Sequence, residues 1–178
     1  MSTDFLEPRS ILNQLGLSHG MHVADFGSGS GFYTLEAARM VGSDGRVYAI
    51  DVQKSMLSHT SEEARREGLH NIEFVWGDIE KEGGSKVLPN SMDVVILANT
   101  LFQIENKNVL AQEVKRVLKP GGRLLVVDWT DSFAGLGPHP DHIFPKREAG
   151  VLFEESGFEF IESSLAGPHH YSLVFRKR

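Results

Sequence analysis

Gly27, Gly29 and Gly31, on alternate positions, and the carboxylate of Asp51 about twenty residues on are residue types suited to holding a nucleoside. Glycine lets the backbone turn tightly and leaves its N–H groups bare, with no Cβ in the way of a ligand. The apolar run before them, His22–Phe26, reads as a buried strand, and Phe32 to Val41 has a helical pattern. The loop therefore brings a helix N-terminus to the same spot. Asp51 ends a second strand, RVYAID, where a carboxylate can accept both hydroxyls of a ribose. A dinucleotide fingerprint needs a third small residue that lets the helix pack closely, and counting from Gly27 that position holds Phe32. The glycine loop alone leaves the choice of nucleoside open.

The elements that must position these groups alternate strictly. A short N-terminal helix over about Arg9–Leu17 precedes the strand His22–Phe26, the helix Gly31–Val41 and the strand Arg46–Asp51. A helix at Ser55–Glu67, a strand at Ile72–Trp76 and a loop through Gly83-Gly84 to Pro89 follow. The strand Met92–Ala98 leads to a core-facing helix at Lys107–Leu118, and Pro120-Gly121-Gly122 turns into a strand at Arg123–Trp129. A long loop, Thr130 to Pro145, reaches a helix at Lys146–Ser156, and strands Phe158–Ser163 and His170–Arg176 close the chain as an antiparallel pair. DVVILA and RLLVVD are continuously apolar, as parallel strands covered on both faces are. This order predicts an α/β fold: a Rossmann-like, doubly wound, seven-stranded, mostly parallel sheet with a C-terminal antiparallel strand. Residues 1–178 form one domain, with 1–20 as a short helical lead-in, and ligands bind outside the carboxyl ends of the strands.

Composition removes several classes. The 178 residues carry 40% hydrophobic side chains, enough for a packed core, and no run of eighteen apolar residues that would span a membrane. MSTDFLEPRS lacks the basic start and apolar stretch of a signal peptide. With no cysteine there is no disulfide, thiolate metal site or cysteine nucleophile, which fits a cytoplasmic protein. A net charge of −6 argues against nucleic acid as a partner, because its binders carry a basic footprint.

With ADFGSGSG, Asp51, WGDIE and LKPGGRLLVVDW in order and at this spacing, the chain resembles the class I S-adenosylmethionine-dependent methyltransferases. The likeness is to their small type-11, quinone-biosynthesis C-methyltransferase-like members, and it runs from about Leu15 to the last strand. It implies S-adenosylmethionine as cofactor, S-adenosylhomocysteine as product and a seven-stranded fold. Asp25, Gly27, Gly29 and Gly31 would wrap the methionine part. Asp51 would hold the ribose hydroxyls, with Val52 and Met56 near the adenine. Asp78 would accept the adenine amino group and the Ile79 backbone would read the adjacent ring nitrogen. Asn99 would lie near the sulfonium and amine, largely through its main chain. Each role has a plainer rival in the residues themselves. Asp25 could cap nearby loop N–H groups, and Asp78 after Gly77 could be a turn acid. Asp51 needs a partner if buried, although a position at an exposed strand end leaves it unpaired without ligand.

Catalytic groups are less legible. Methyl transfer from a sulfonium is an in-line displacement that positioning can largely supply, and a base is needed only where the acceptor must lose a proton. Tyr33, Asn99, Asp128, His139 and His142 lie at strand ends or in nearby loops, with Tyr33 and the two histidines the candidates retained. Both histidines are equally readable as exposed residues of the long loop, itself a candidate binding loop. His139, Asp141 and His142 with His169 or His170 match a metal site in residue type only, and no metal is assigned. Phe102, Trp129 and Phe133 could line an apolar acceptor pocket or belong to the core.

ANTLFQI after the fourth strand lacks the proline-aromatic motif that similar enzymes use on planar amino nitrogens. Asn99-Thr100 also stands where aminopropyl transferases of this fold carry an acid. A lead-in of only about twenty residues leaves the pocket shallow, open or completed by a second subunit, a homodimer. The reading is methyl transfer to a small, apolar or aromatic metabolite. Its alternatives are a cofactor-binding but non-catalytic sensor or partner subunit and, against Phe32, a nicotinamide-dependent oxidoreductase.

Overall fold

Seven strands form one sheet in the order β3-β2-β1-β4-β5-β7-β6, in a computed structural model that describes residues 8–132, 135 and 137–178. The strands are β1 His22–Phe26, β2 Arg46–Asp51, β3 Ile72–Trp76, β4 Met92–Ala98, β5 Leu118–Trp129, β6 Phe158–Leu165 and β7 His170–Lys177. The helices are α1 Pro8–Leu12, α2 Phe32–Val41, α3 Lys54–Arg66, α4 Lys107–Val117 and α5 Lys146–Glu155. β7 alone is antiparallel to its neighbours β5 and β6, so six strands share one direction. Among the described residues no helix is long and apolar enough to cross a membrane.

Alternation along the strands builds the two layers, because successive side chains point to opposite faces. Ala24, Phe26, Val95, Leu97, Leu124 and Val126 pack with Leu110 and Val114 of α4 and Phe153 of α5. Val23, Val47, Val94, Ile96, Leu125 and Val127 pack on the other face with Ile11 and Leu12 of α1 and Ala37, Ala38 and Val41 of α2. Both layers of the central strands are therefore dry, which accounts for their continuously apolar sequence.

The sequence expectation places a turn at Pro120–Gly122 ahead of a strand from Arg123, and the structure corrects this. Leu118 is already paired with Met92, and the next register pair is Val94 with Arg123. Lys119–Gly122 bulge out between them, with Gly121 at φ +78° and the Lys119 ammonium 2.6 Å from Asp93. Burying Leu118 completely draws the ladder back past the bulge. The N-terminal helix is also shorter than its pattern suggests: α1 ends at Leu12, and Asn13–Leu15 tighten into a 3-10 turn closed by Gly16 at φ +58°.

Topology now fixes where a ligand can lie. β1 pairs with β2 on one side and β4 on the other, so the chain winds away from β1 in both directions. The crevice outside the carboxyl ends of such strands is the binding position of open α/β sheets. The β1, β2, β3 and β4 carboxyl ends lead to the glycine loop, Asp51, Asp78 and Asn99, four groups far apart in sequence.

Candidate functional site

A cavity of about 480 Å³ opens at this crevice, walled by the glycine loop, the ends of β2 and β4, and the segments that follow them. Asp25, Gly27, Gly29, Asp51, Val52, Met56, Asp78, Ile79, Asn99 and Tyr33 all line it. Gly31 stands outside the wall. Its φ is +83°, and a Cβ there would come within 2.3 Å of the Thr60 methyl group on α3. That glycine exists for the close approach of the loop to α3. Gly27 plays a similar part, since a Cβ on it would meet the Thr100 hydroxyl at 2.8 Å. Gly29 has no such neighbour and leaves its face open.

Three carboxylates stand in different electrostatic settings. Asp25 is 2% exposed and accepts a 2.6 Å hydrogen bond from the Thr34 hydroxyl in the first turn of α2. Burial, and secondarily the nearby Asp51 charge, outweigh that bond and push its pKa up to about 7. Asp51 is buried and partnered, which corrects the expectation of an unpaired acid. Its two oxygens accept the Gly29 N–H at 2.9 Å and the Gln53 N–H at 2.8 Å. The strand-end acid therefore ties the glycine loop to the start of α3 and still has lone pairs to spare for a ligand. Asp78 accepts the Glu80 N–H at 3.0 Å and pairs with Lys81 at 2.8 Å. Those two contacts, Lys81 foremost, hold it below the usual carboxylate range, so it stays an acceptor throughout the working pH range. The turn acid and the wall residue are one and the same.

Asn99 follows β4 at φ +54°, a left-handed conformation uncommon outside glycine. Its N–H is held by the Val127 carbonyl at 2.8 Å, while its buried side-chain Oδ1 has no hydrogen-bond partner. The Ser28 hydroxyl in the glycine loop is likewise buried without a partner. Orphaned polar atoms beside a cavity call for a ligand that satisfies them. Burial and the nearby Asp25 raise the Tyr33 pKa, so its phenol keeps its proton.

The structure separates the remaining candidates from this cavity. His139 caps and His142 ends a 3-10 turn, Pro140–His142, with ring centroids 5.9 Å apart, and neither lines the wall. His139 contacts Asp141 at 3.3 Å, and among the described residues no group of three or more His, Asp or Glu converges on a metal position. Asp128 is wholly buried behind the site. It accepts the N–H groups of Leu101 and Trp129 at 2.8 Å each, and burial pushes it up to about 6. Trp129 packs against His170 with ring centroids 4.1 Å apart and planes tilted by 41°, and neither it nor Phe102 reaches the cavity. Phe133 lies outside the described residues. Conversely, Phe32, Gln103 and Ile104 line the wall although sequence reasoning did not place them there. Phe32 had a usable signal, being the first residue of the helix that the loop delivers.

The buried proton of Asp25 has a measurable consequence. The folded chain binds it far above the pH at which the unfolded chain releases it, so stability falls as pH rises from about 4 through about 7. Asp25→Asn, which keeps an acceptor for Thr34, is expected to flatten that slope and stabilise the ligand-free protein by on the order of 2 kcal/mol at pH 8. Thermal unfolding of both forms between pH 4 and 8 checks this, and parallel curves would refute it.

A cavity with bare glycine backbone, two orphaned polar atoms and three carboxylates in its wall suits a ligand carrying an amine, a ribose and an amino-substituted base. Comparison with known proteins gives the family. The methyltransferase domain family matches residues 17–147. The chain is 30% identical to a SAM-dependent methyltransferase of Aquifex aeolicus with a TM-score of 0.89, covering 98% of this chain and 92% of that one. It is 28% identical to the ubiquinone/menaquinone biosynthesis C-methyltransferase UbiE of Escherichia fergusonii and 34% identical to that of Enterobacter sp. strain 638. Each of those alignments covers 88% of this chain and 64% of the relative, so the chain spans just under two thirds of their length. From the glycine loop to the reversed last strand, the chain belongs to the class I S-adenosylmethionine-dependent methyltransferases.

Proposed function

We propose that the protein transfers a methyl group from S-adenosylmethionine to a carbon of a small, apolar or aromatic acceptor, of the kind quinone biosynthesis uses. One observation carries the reading: Asp25 on β1, Asp51 at the end of β2 and Asp78 just after β3, on three neighbouring strands, all line a single cavity. The relatives named for C-methylation in ubiquinone and menaquinone biosynthesis support the acceptor class. When bound, the cofactor supplies an electrophilic methyl group on a sulfonium.

The chain's own residues bind and orient. Asp51 accepts the ribose hydroxyls while keeping the Gly29 and Gln53 N–H groups, and Asp78 accepts the base amine. Val52 and Met56 cover the base, and the Ile79 backbone reads its edge. Gly27, Gly29, Asp25 and Asn99 surround the amino-acid portion, where the orphaned Asn99 Oδ1 accepts a hydrogen bond from the ammonium. Phe32, 71% exposed at the cavity mouth, offers a ring face to a planar acceptor. Tyr33 holds its proton and serves as a donor, so an acceptor that ionises readily by itself suits this site best. His139 and His142, which do not line the cavity, have no part in this reading.

A cytoplasmic setting and a small-molecule partner complete the proposal, supported by the lack of cysteine and the net charge of −6. A homodimer covering the open mouth is part of it, and sedimentation reads it directly. S-adenosylmethionine or S-adenosylhomocysteine is expected to bind at micromolar levels, with about 2.7 kcal/mol of added stability at 100 times its Kd. The deciding experiment follows S-adenosylhomocysteine formation across hydroxylated aromatics, amines and carboxylic acids, with NMR of the product to read whether carbon or oxygen carries the new methyl group. Turnover confined to the ring acceptors is the expected result, and turnover confined to amines would overturn the acceptor class.

A further inference from the structure

Glu113 lies on α4, outside the cavity wall, yet it is 1% exposed and collects hydrogen bonds from a loop that forms the wall. Its Oε2 accepts the Gly83 N–H at 2.9 Å, and its Oε1 accepts the Ser85 N–H at 3.2 Å and the Ser85 hydroxyl at 2.5 Å. Arg116, one turn along α4, closes the arrangement with bonds of 2.8 and 2.6 Å to the two oxygens. Burial alone would raise this carboxyl, but Arg116, Ser85 and Gly83 together hold it down at about 2. Glu113 is thus a permanent anion with both oxygens occupied.

The segment it grips leads straight back to the cavity. Between Gly83 and Ser85, the Gly84 carbonyl accepts the Asp78 N–H at 3.0 Å. The two strands of this loop are so close that a Cβ on Gly84 would fall 2.0 Å from the Asp78 carbonyl oxygen. Nearby, Glu80 accepts the Glu105 and Asn106 N–H groups at 2.8 Å each, pinning the same loop to the start of α4. α4 therefore holds the Asp78 turn at two points, and the Glu113 end is the buried one.

We propose that Glu113, acting through Gly83 and Ser85, is a positioning residue that aims Asp78 at the cofactor base and sets the preference for an adenosyl over an inosyl cofactor. The inference rests on the reading of Asp78 as acceptor of the base amine. An inosyl base carries a carbonyl, which a carboxylate repels, in place of that amine, and an N–H in place of the adjacent ring acceptor that the Ile79 backbone would read. A glutamine at position 113 must turn an NH₂ toward N–H donors or toward Arg116, which frees one end of the loop.

The test is calorimetric titration of wild type, Glu113→Gln, Ser85→Ala and Asp78→Ala with S-adenosylhomocysteine and with S-inosylhomocysteine, alongside melting temperatures. Wild type is expected to prefer the adenosyl ligand by roughly tenfold or more, the size of one well-placed hydrogen bond to a charged group. Glu113→Gln should lose about tenfold for the adenosyl ligand and less than about twofold for the inosyl one, which narrows the preference by the Asp78 share. Ser85→Ala, nearly isosteric, should lose about threefold for the adenosyl ligand alone and decides the matter if Glu113→Gln does not fold. A folded variant with equal losses for both ligands, or with none, overturns the positioning role even if its melting temperature drops. An unchanged preference in Asp78→Ala would instead remove the base-amine assignment on which the inference stands.

Discussion

Asp51→Ala is expected to weaken S-adenosylhomocysteine binding by about a hundredfold or more. Its carboxylate would give two ribose hydroxyls charge-assisted hydrogen bonds, each worth roughly 1.5–3 kcal/mol, and 1.4 kcal/mol is tenfold in affinity. The same substitution strands the N–H groups of Gly29 and Gln53, which the carboxylate accepts at 2.9 and 2.8 Å. Leaving a part-buried donor unsatisfied costs about 1–3 kcal/mol, so the ligand-free protein should also lose stability. Read from sequence, a strand-end acid without ligand has no partner, and its removal would stabilise the chain. The two backbone bonds reverse that sign. Asp51→Asn keeps one acceptor oxygen but turns an NH₂ toward a backbone N–H, so it should fall between wild type and alanine in both measurements. Titration with S-adenosylhomocysteine and chemical unfolding of the ligand-free proteins check the pair. Unchanged affinity in Asp51→Ala would remove the ribose assignment, and unchanged stability would remove its role in the loop.

Gly31→Ala should be strongly destabilising although Gly31 stands outside the cavity wall. At φ +83° a non-glycine residue is strained by about 1–2 kcal/mol. The new Cβ would also press within 2.3 Å of the Thr60 methyl and 2.7 Å of its hydroxyl. Thr60 is fully buried on α3 and bonds the Gly29 carbonyl at 3.3 Å, so it cannot swing clear without disturbing the loop. A combined loss of about 3 kcal/mol or more is expected in chemical unfolding. Cofactor affinity should fall as well, because Gly29 moves with the loop. Adding Thr60→Ala to Gly31→Ala should recover the packing part and leave the backbone part. A double variant no better than the single one would show that packing against Thr60 is not the reason for a glycine here.

Much of this fold was legible because its signals are local. The apolar runs at Val94–Leu97 and Leu124–Val127 announce two-sided burial, and the 3.6-residue patterns of α2 to α5 were located to within a residue or two. The β5 start failed for a non-local reason: only the pairing of Leu118 with Met92 reveals that the ladder begins ahead of the glycine bulge. His139 and His142 have residue types suited to catalysis, yet chain distance says nothing about whether a loop reaches a crevice. Their placement away from the cavity wall, like that of Phe102 and Trp129, is a property of packing.

By itself the sequence determined the alternating elements, the glycine loop, the carboxylate ending β2 and the family they indicate, since glycine conformation and hydrophobic period act within a few residues. Only the tertiary structure decided that the β1, β2, β3 and β4 ends deliver their residues into one cavity. It alone showed Thr60 and Thr100 beneath two of the glycines, and α4 gripping the Asp78 turn through Glu113. These are contacts between residues tens of positions apart, made by strand order and close packing, and no local period in the chain encodes them.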